Sequence, residues 1–247
     1  MPDPTFQPVT PHIFRLEQPF LRGRFKVNVW LVHEADGGWL MVDAGAPGFE
    51  KKLLEQVLVQ TGGQTPRMLL LTHGHMDHAA AAQRIREEWK VPIAAGRDEI
   101  RYLIGPVRYN TIPAKNLIYK LLQISAPPLV GRNVQLPLDD GARVGDLVAY
   151  HSPGHSPGML AFLHAGDRAL IAGDVFFNLG RFGDPVGAFT YDMGLNHKSQ
   201  ARLAALDFDH LLASHGEPTM NTGRQMAQEW VAKKAKKPKA VPAAAAA

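Results

Sequence analysis

The sequence predicts an α/β fold in which two mixed β-sheets pack face to face and helices cover both outer faces, a four-layer αββα sandwich. Three observations support this prediction. Apolar segments of strand length alternate along the chain with segments of helical periodicity. These units recur in two similar halves, which favours two packed sheets. Polar residues directly follow several apolar strands, and such residues converge where an active-site cleft forms.

The first half begins with a predicted β-hairpin. From Lys26 onward, VNVWLVHE and WLMVDAG flank the turn sequence ADGG. Residues 49–61 carry leucine and valine at helical spacing and end at Gly62 and Gly63, which predicts a helix with a glycine stop. A buried strand is predicted at residues 68–71. The loop THGHMDH then precedes an alanine-rich helix, AAAAQRIREEWK.

The second half is predicted to contain short strands and one helix before a final strand. VGDLVAYHSPGH and GMLAFLHAGDRALIAGD indicate strands joined by tight turns, and SQARLAALDFDHLLASHG indicates helix followed by strand. We therefore expect one catalytic domain at residues 1–231, in which residues 100–131 form a substrate-pocket or lid insertion. Residues 232–247, rich in lysine and alanine, are predicted to be a basic, disordered tail.

The composition limits the classes of function. The chain has 247 residues, of which 45% are hydrophobic and 20% are charged, as in ordinary globular proteins. Because cysteine is absent, disulfides and thiolate ligands are excluded, and any metal would be held by nitrogen and oxygen. The sequence shows neither a signal-peptide pattern nor an 18-residue apolar segment. We expect a cytoplasmic enzyme without a membrane partner.

Histidines and aspartates form a candidate metal site. His73 and His75 are two residues apart, and their side chains point the same way only in extended backbone. Asp77 continues this alternation, while His78 turns to another side as a helix begins, so that one loop could serve two metals. The remaining candidates each follow an apolar strand: His155, Asp174 and His215. A single histidine is more often structural, but this set exceeds the three ligands that one catalytic zinc uses.

The motif THGHMDH, with the later SPGHSPG, AGD and SHG, resembles the metallo-β-lactamase superfamily over about residues 12–218. The resemblance implies the metallo-β-lactamase fold, the αββα sandwich of two mixed sheets flanked by helices, and a centre with two divalent metal ions. The first ion would be held by His73, His75 and His155. The second would be held by Asp77, His78 and His215.

The resemblance also implies roles for two more aspartates and resolves a repeated motif. Asp174 would bridge the two ions, and Asp43 in VDAG would hydrogen-bond the loop beneath them. HSPG occurs twice, at His151 and at His155. Only His155 is preceded by Pro-Gly, as the family pattern requires, and we therefore assign it as the ligand.

Hydrolysis is the reaction that this centre implies. Two ions that share a water lower its pKa from about 15.7 to about 7, so that a metal-bridging hydroxide would be the nucleophile at neutral pH. Asp77 would orient the hydroxide and is the candidate catalytic residue. Zn²⁺ is the expected ion, with Mn²⁺ or Fe²⁺ as alternatives, because nitrogen and oxygen ligands accept all three.

The ligand set indicates which branch of the superfamily the chain resembles. His-x-His-x-Asp-His with a bridging Asp174 is similar to glyoxalase II, acyl-homoserine lactonases and related hydrolases, whereas lactam-cleaving relatives lack the bridging aspartate. Oxygen-reducing di-iron relatives have glutamate where this chain has His75. Quorum-quenching lactonases have tyrosine where this chain has Phe177. The predicted function is therefore dinuclear, metal-dependent hydrolysis of a carboxylic ester, lactone or thioester.

Two other enzyme classes remain open alternatives. A phosphodiesterase or nuclease of the same fold would use a similar metal site. Lysines cluster at the far tail rather than beside the ligands, so we expect no nucleic-acid partner. A persulfide dioxygenase-like iron enzyme is suggested by GDVFFNLGRFGD, although Asp184 lies one residue too far from Arg181 for that pattern. A non-enzymatic metal-binding module is least favoured, because the ligand set is complete.

Aromatic residues near the ligands are the candidate pocket for a small-molecule substrate. They are Tyr102, Tyr109, Tyr119, Phe176, Phe177 and Phe182. An equally favoured interpretation of the tyrosine-containing stretch is that it covers the sheet or forms a homodimer contact.

Overall fold

The computed structural model describes residues 5–20, 23–104 and 134–236. Two large sheets and one two-stranded ribbon are formed within these ranges. None of the helices described there is long and apolar enough to cross a membrane.

The first sheet contains seven strands in chain order. They are β1 (Gln7–Pro8), β2 (Ile13–Phe20), β3 (Phe25–His33), β4 (Trp39–Val42), β5 (Met68–Leu71), β6 (Ile93–Gly96) and β7 (Val134–Leu138). Strands β1 to β4 pair antiparallel, and β4 to β7 pair parallel. The expected hairpin is the β3–β4 pair, in which Trp30 lies opposite Val42. The sheet is therefore mixed, with an antiparallel meander leading into parallel strands.

The second sheet has five strands in the order β14-β11-β10-β9-β8. They are β8 (Arg143–Val144), β9 (Leu147–His151), β10 (Leu160–His164), β11 (Ala169–Gly173) and β14 (His210–Ala213). Only the β11–β14 pair is parallel. The ribbon pairs β12 (Phe177–Asn178) with β13 (Phe182–Gly183).

Six helices and one 3₁₀ turn are also present in the described part of the chain. The helices are α1 (Glu50–Gln60), α2 (Met76–Ala79), α3 (Ala82–Trp89), α4 (Arg97–Ile104), α5 (Met193–Ala204) and α6 (Gly223–Ala235), and the 3₁₀ turn is Gly187–Phe189. Helix α1 lies within the predicted helical segment 49–61 and ends before Gly62, which has a positive φ of 65°. The predicted insertion at residues 100–131 begins within α4, and its remainder lies outside the described residues.

Three hydrophobic clusters show that the elements form four layers. Alternate residues of β3 point to opposite faces of the first sheet, as a strand requires. Val29 and Leu31 pack with Leu53 of α1, whereas Trp30 and Val32 belong to the cluster between the two sheets. That central cluster also contains Phe162 and Ile171 of the second sheet.

The third cluster covers the outer face of the second sheet. It joins Leu170 and Leu211 of this sheet to Leu203 of α5 and Ala227 of α6. The order of layers is helix, sheet, sheet, helix, and the predicted αββα architecture is confirmed.

The C-terminal helix extends past the predicted boundary between the domain and the tail. Helix α6 continues to Ala235, whereas the basic tail was predicted to begin at residue 232. In its last turn, Lys234 is only 26% exposed at its side chain and pairs with Asp184. Residues 237–247 of the predicted tail lie outside the described residues.

Candidate metal centre

The seven predicted ligands lie at one edge of the two sheets, where several strands end. His73 follows β5, Asp174 follows β11 and His215 follows β14. His155 lies in the turn between β9 and β10, and Asp77 and His78 form part of the short helix α2. Loops at the carboxyl ends of strands bring distant parts of the chain together, which is the usual position of a site in α/β folds.

The first group of ligands contains three buried histidines, whose ligating atoms lie within 4.8 Å of one another: His73, His75 and His155. Nε2 of His155 lies 3.0 Å from Nδ1 of His75. The imidazole ring of His73 is 4.4 Å from that of His75 and 5.0 Å from that of His155, measured between ring centroids. These spacings suit three nitrogens around one ion.

The second group contains one carboxylate and two histidines within the same 4.8 Å limit: Asp77, His78 and His215. Oδ2 of Asp77 lies 3.3 Å from Nε2 of His215 and 3.7 Å from Nε2 of His78. Nitrogen and oxygen ligands from two segments of the chain, helix α2 and the loop after β14, therefore converge beside the first group.

Asp174 lies between the two groups. Its Oδ2 atom is 3.1 Å from Nε2 of His155 in the first group and 3.3 Å from Nε2 of His215 in the second. Its Oδ1 atom is 3.6 Å from Nε2 of His78. One carboxylate thus contacts both sets of ligands, which is the position that a bridging ligand needs.

Hydrogen bonds from outside the cluster orient four of the histidines. Nδ1 of His215 lies 2.7 Å from the carbonyl oxygen of Lys26. Nδ1 of His155 lies 3.2 Å from the Thr190 hydroxyl, which itself donates to a carbonyl. In each case the Nδ1 atom must carry a proton, so Nε2 is the ring nitrogen that is left to bind a metal ion in the cluster.

Asp43 lies beneath the cluster and orients the other two histidines, His78 directly and His73 through Thr72. Its Oδ2 atom accepts from Nδ1 of His78 at 2.9 Å, and its Oδ1 atom accepts from the backbone N–H of Thr72 at 2.8 Å. The Thr72 hydroxyl donates to Asp43 and lies 3.0 Å from Nδ1 of His73. Asp43 is fully buried and has a positive φ of 64°, so the backbone turns sharply there to direct the carboxylate under the loop.

The electrostatics of the cluster favour positive charge. Burial alone would lower the pKa of His215, but Asp174 and Asp77 raise it to about 10. Burial likewise opposes ionisation of Asp77, yet His78 and His215 lower its pKa to about 2. The pKa of His73 falls well below its usual value, because the ring is buried and has His78 and His75 as neighbours. The carboxylates are therefore ionised and draw cationic charge to their side of the cluster.

These residues fit a pair of divalent cations. Among the described residues, three buried ligating atoms have no hydrogen-bond partner: Nε2 of His73, Nε2 of His78 and Oδ1 of Asp174. Buried polar atoms are almost always satisfied, so unsatisfied ones in a nitrogen and oxygen cluster are explained by metal coordination.

The two histidines of the repeated HSPG motif have different positions in the structure. His155 is almost fully buried within the cluster. His151 lies at the end of β9 with 36% of its side chain exposed, and Nε2 of its ring lies 4.0 Å from Oδ2 of Asp98, outside the cluster. His155 is therefore placed to bind metal, and His151 is not.

An apolar cavity of about 150 Å³ opens above the cluster. Its wall combines ligands with apolar side chains: Phe20, Phe25, Met76, Phe177, Val186 and Phe189. No lysine or arginine of the described residues lines it. Phe177 was among the predicted pocket residues, and its ring lies 4.6 Å from that of His215. Sequence analysis missed the other five, although the phenylalanines that flank the β2–β3 turn were a usable signal.

Three predicted pocket residues require correction. Phe176 is fully buried and stacks on Phe182 with 5.3 Å between ring centroids, and both belong to the cluster beneath the second sheet. Neighbouring residues of extended chain point to opposite sides, so Phe177 faces the cavity while Phe176 faces the core. Tyr102 is buried within α4 and does not line the cavity. Tyr109 and Tyr119 lie outside the described residues.

Arg181 and Asp184, the two residues whose spacing was compared with the persulfide dioxygenase pattern, lie apart from the metal cluster. Asp184 accepts hydrogen bonds from Trp230 and Lys234 of α6. Arg181 lines a shallow groove beside the same helix. Both residues therefore serve the packing of α6, and neither lines the cavity above the ligands.

Comparison with known proteins supports the same assignment of the fold and centre. The sequence model of the metallo-beta-lactamase superfamily matches residues 22–216. The chain belongs to this superfamily. The resemblance inferred from the THGHMDH motif is confirmed, and the protein is a metallo-hydrolase with histidine and aspartate clusters that suit divalent metal.

Three relatives illustrate this membership of the metallo-beta-lactamase superfamily. The probable metallo-hydrolase YybB of Bacillus subtilis is 30% identical over 207 residues, which cover 83% of this chain and 86% of that protein. The hydroxyacylglutathione hydrolase GloC of Haemophilus influenzae is 25% identical over 79% of this chain and 88% of its own length. A crystal structure of a metallo-beta-lactamase family protein from Thermus thermophilus superposes with a TM-score of 0.69, at 24% identity, over 92% of this chain and 81% of that one.

Proposed function

We propose that this protein is a dinuclear metal-dependent hydrolase, which cleaves a carboxylic ester, lactone or thioester that carries an uncharged, apolar acyl group. The observation that carries the proposal is the cavity above the metal ligands. Phenylalanine and other apolar side chains form its wall, and no cationic side chain of the described residues lines it. Apolar walls favour an acyl chain or aromatic ring, whereas a phosphodiester needs nearby cations.

The residues of the centre suit this reaction class. When bound, two divalent ions polarise a carbonyl oxygen and lower the pKa of a shared water to about 7. Five imidazoles and two carboxylates are the neutral and anionic donors that Zn²⁺ accepts, and Mn²⁺ or Fe²⁺ are the alternatives. We propose Zn²⁺ because five of the seven ligands are imidazoles, which suit Zn²⁺, whereas Mn²⁺ favours sites richer in carboxylates.

Asp77 and the aromatic wall have distinct roles in the proposed reaction. The Asp77 side chain is 13% exposed and lines the cavity, so its carboxylate can accept a hydrogen bond from the attacking water and orient it. Phe177 packs against His215 and places the acyl group beside the ligands. Hydrolysis then adds water across the acyl bond, and the proton of that water passes to the departing alcohol or thiol.

The proposal agrees with what is known of one relative. GloC is named as a hydroxyacylglutathione hydrolase, an enzyme acting on a thioester, and shares 25% identity with this chain. Glutathione carries charged groups, whereas the described wall of the cavity here is apolar apart from the metal ligands. We therefore propose a less polar substrate than that of GloC.

A substrate panel tests the proposed function. We expect kcat/KM for neutral aryl esters, medium-chain lactones and acyl thioesters to exceed that for bis-aryl phosphodiesters on metal-loaded enzyme. A phosphodiester preference of about tenfold or more, equivalent to about 1.4 kcal/mol in the barrier, would overturn the proposal. It would favour a phosphodiesterase of the same fold instead.

A substitution in the cavity wall tests the substrate class directly. We expect Phe189→Ala to raise KM for longer acyl chains more than for acetyl esters, because it removes apolar contact with the chain alone. Val59→Ala is the matched control, since Val59 is 80% exposed on α1 and does not line the cavity. An equal change in KM for short and long acyl chains would show that this cavity does not bind the acyl group.

A further inference from the structure

Glu99 is a fully buried carboxylate beside the metal centre that the chemistry described above does not use. It lies in the first turn of α4 and has no solvent exposure. Its Oε1 atom accepts a hydrogen bond from the backbone N–H of Gly74 at 2.9 Å. Its Oε2 atom accepts from the backbone N–H of Gly158 at 2.8 Å and from the Ser156 hydroxyl at 2.9 Å.

The three donors belong to the two loops that carry the first group of ligands. Gly74 lies between His73 and His75, and Ser156 directly follows His155. One side chain therefore connects the loop after β5 to the loop between β9 and β10. These loops come from different sheets of the sandwich, and their separation decides whether three imidazoles can meet at one ion.

The second group of ligands is held by other contacts. Asp43 orients His78, and the carbonyl of Lys26 orients His215. Asn28 donates to the carbonyl oxygens of Ala213 and Gly216, on either side of His215. The contacts of Glu99 are thus specific to the three-histidine side of the centre.

The backbone of α4 packs directly against the backbone of the loop that carries His155. A Cβ atom added to Gly158 would lie 2.1 Å from the backbone nitrogen of Glu99. A Cβ atom added to Gly96 would lie 2.0 Å from the carbonyl oxygen of Gly158. Both glycines permit an approach that any side chain would prevent, and the helix and the loop are positioned as one unit.

Burying an acidic side chain is costly unless hydrogen bonds compensate for the loss of water. Burial raises the pKa of Glu99 to about 7, and the hydrogen bonds from Gly74, Gly158 and Ser156 oppose that rise. A neutral, apolar side chain would fill the same space at lower cost, but it could not accept hydrogen bonds from two loops at once.

We propose that Glu99 is a positioning residue for the metal centre. It sets the distance between the His73–His75 loop and the His155 loop, and so determines the affinity for the ion held by the three histidines. This inference rests on the metal centre of the proposed function but not on the choice of substrate. Its test therefore uses metal binding, and it stands or fails independently of any ester hydrolysis.

The informative variant is Glu99→Gln, which keeps the size and shape of the side chain. A glutamine has one acceptor oxygen, whereas Gly74 and Gly158 present backbone N–H groups to both positions. One of these donors must then face an NH₂ group, and the loop that carries it shifts. Removing a contact that orients metal ligands typically costs about 10- to 100-fold in metal affinity.

Two single-ion backgrounds separate this effect from a general defect. His215→Ala retains the three-histidine group, and His155→Ala retains the other group. We expect Glu99→Gln to weaken Co²⁺ binding by at least about tenfold in the His215→Ala background, and by less than about threefold in the His155→Ala background. Affinity is measured by competition with a chelator, and the visible ligand-field bands of bound Co²⁺ report the changed geometry.

Asp98→Asn is the matched control, because Asp98 precedes Glu99 on the same helix and its side chain is 61% exposed. We expect it to leave both affinities and the Co²⁺ spectrum unchanged. Equal weakening in the two backgrounds, or affinities within twofold of the parent, would overturn the proposal. If Glu99→Gln fails to fold, Ser156→Ala removes one of the three donors and decides the question. A several-fold weaker three-histidine site supports the positioning role, and an unchanged site overturns it.

Discussion

Oδ2 of Asp43 lies 2.9 Å from Nδ1 of His78, with both side chains fully buried beneath the metal ligands. The carboxylate can only accept a hydrogen bond, so Nδ1 of His78 carries a proton and Nε2 is the nitrogen that is left to bind a metal ion. Asp43 therefore selects the form of His78 that can bind a metal ion.

Asp43→Asn tests this selection of the His78 tautomer. Asparagine tolerates the positive φ of residue 43, so the backbone can be retained. When its amide oxygen accepts from Thr72, its NH₂ group faces His78 and favours the tautomer with the proton on Nε2. We expect metal affinity to fall by about 10- to 100-fold while the far-UV circular dichroism of the protein is unchanged.

The control for Asp43→Asn is Asp36→Asn in the exposed β3–β4 turn. Asp36 pairs with Arg67 and is 62% exposed at its side chain, so we expect no change in metal affinity. Unchanged affinity in Asp43→Asn, as in this control, would show that Asp43 does not govern the tautomer of His78.

The pair His155→Ala and His151→Ala tests the assignment of the repeated HSPG motif. We expect His155→Ala to abolish activity and to release one ion, because this residue contacts both His75 and Asp174. His151→Ala should retain activity within about tenfold, a barrier change of about 1.4 kcal/mol. The reverse pattern in initial rates and metal content would contradict the geometry.

Asp184 is expected to make the stability of the protein depend on pH. Burial favours its neutral form, but hydrogen bonds from Lys234, His197 and Trp230 prevail and hold the pKa of Asp184 below its usual value of 3.8. The stabilisation is therefore present above pH 3.8 and is lost as pH falls through the lower, folded-state pKa. We expect Asp184→Asn to cost about 1–3 kcal/mol at neutral pH, and this difference to shrink below pH 3.8.

Urea unfolding of the wild-type protein and of Asp184→Asn, between neutral and acid pH, measures how the free energy of unfolding depends on pH. Lys234→Ala should reproduce most of the loss at neutral pH, and combining it with Asp184→Asn should add little, because the two residues share one contact. Exposed Lys198→Ala on α5 serves as a control for removal of a positive charge. A loss in Asp184→Asn that is constant from neutral to acid pH would contradict the role of the ionised carboxylate.

The fold, and the candidate ligands that the structure brings together, were predictable from sequence because their signals are local. Strand and helix periods are read over a few residues, and each ligand lies in a short motif directly after an apolar strand. The membership of His155 rather than His151 was readable from its flanking Pro-Gly. The same locality explains why the hairpin of β3 and β4 and the strand β5 were placed well.

The cavity wall and Glu99 could not be read in this way, because they depend on tertiary packing. Phe176 and Phe177 are adjacent in sequence, and only the course of the chain after β11 decides which one faces the ligands. Glu99 lies in a helix where glutamate is ordinarily exposed, and its burial follows from two distant loops folding over it. Lys234 was assigned to a tail because its partner, Asp184, lies 50 residues away.

The metal content of the wild-type protein and of Asp174→Asn tests the central claim most directly. Asp174 Oδ2 contacts both ligand groups, and a carboxylate between two cations also reduces their mutual repulsion. Elemental analysis after Zn²⁺ loading and removal of loosely bound metal should find two ions per wild-type chain, and reduced occupancy of both sites in Asp174→Asn. One tightly held ion per chain that is unaffected by Asp174→Asn would contradict the two-metal centre.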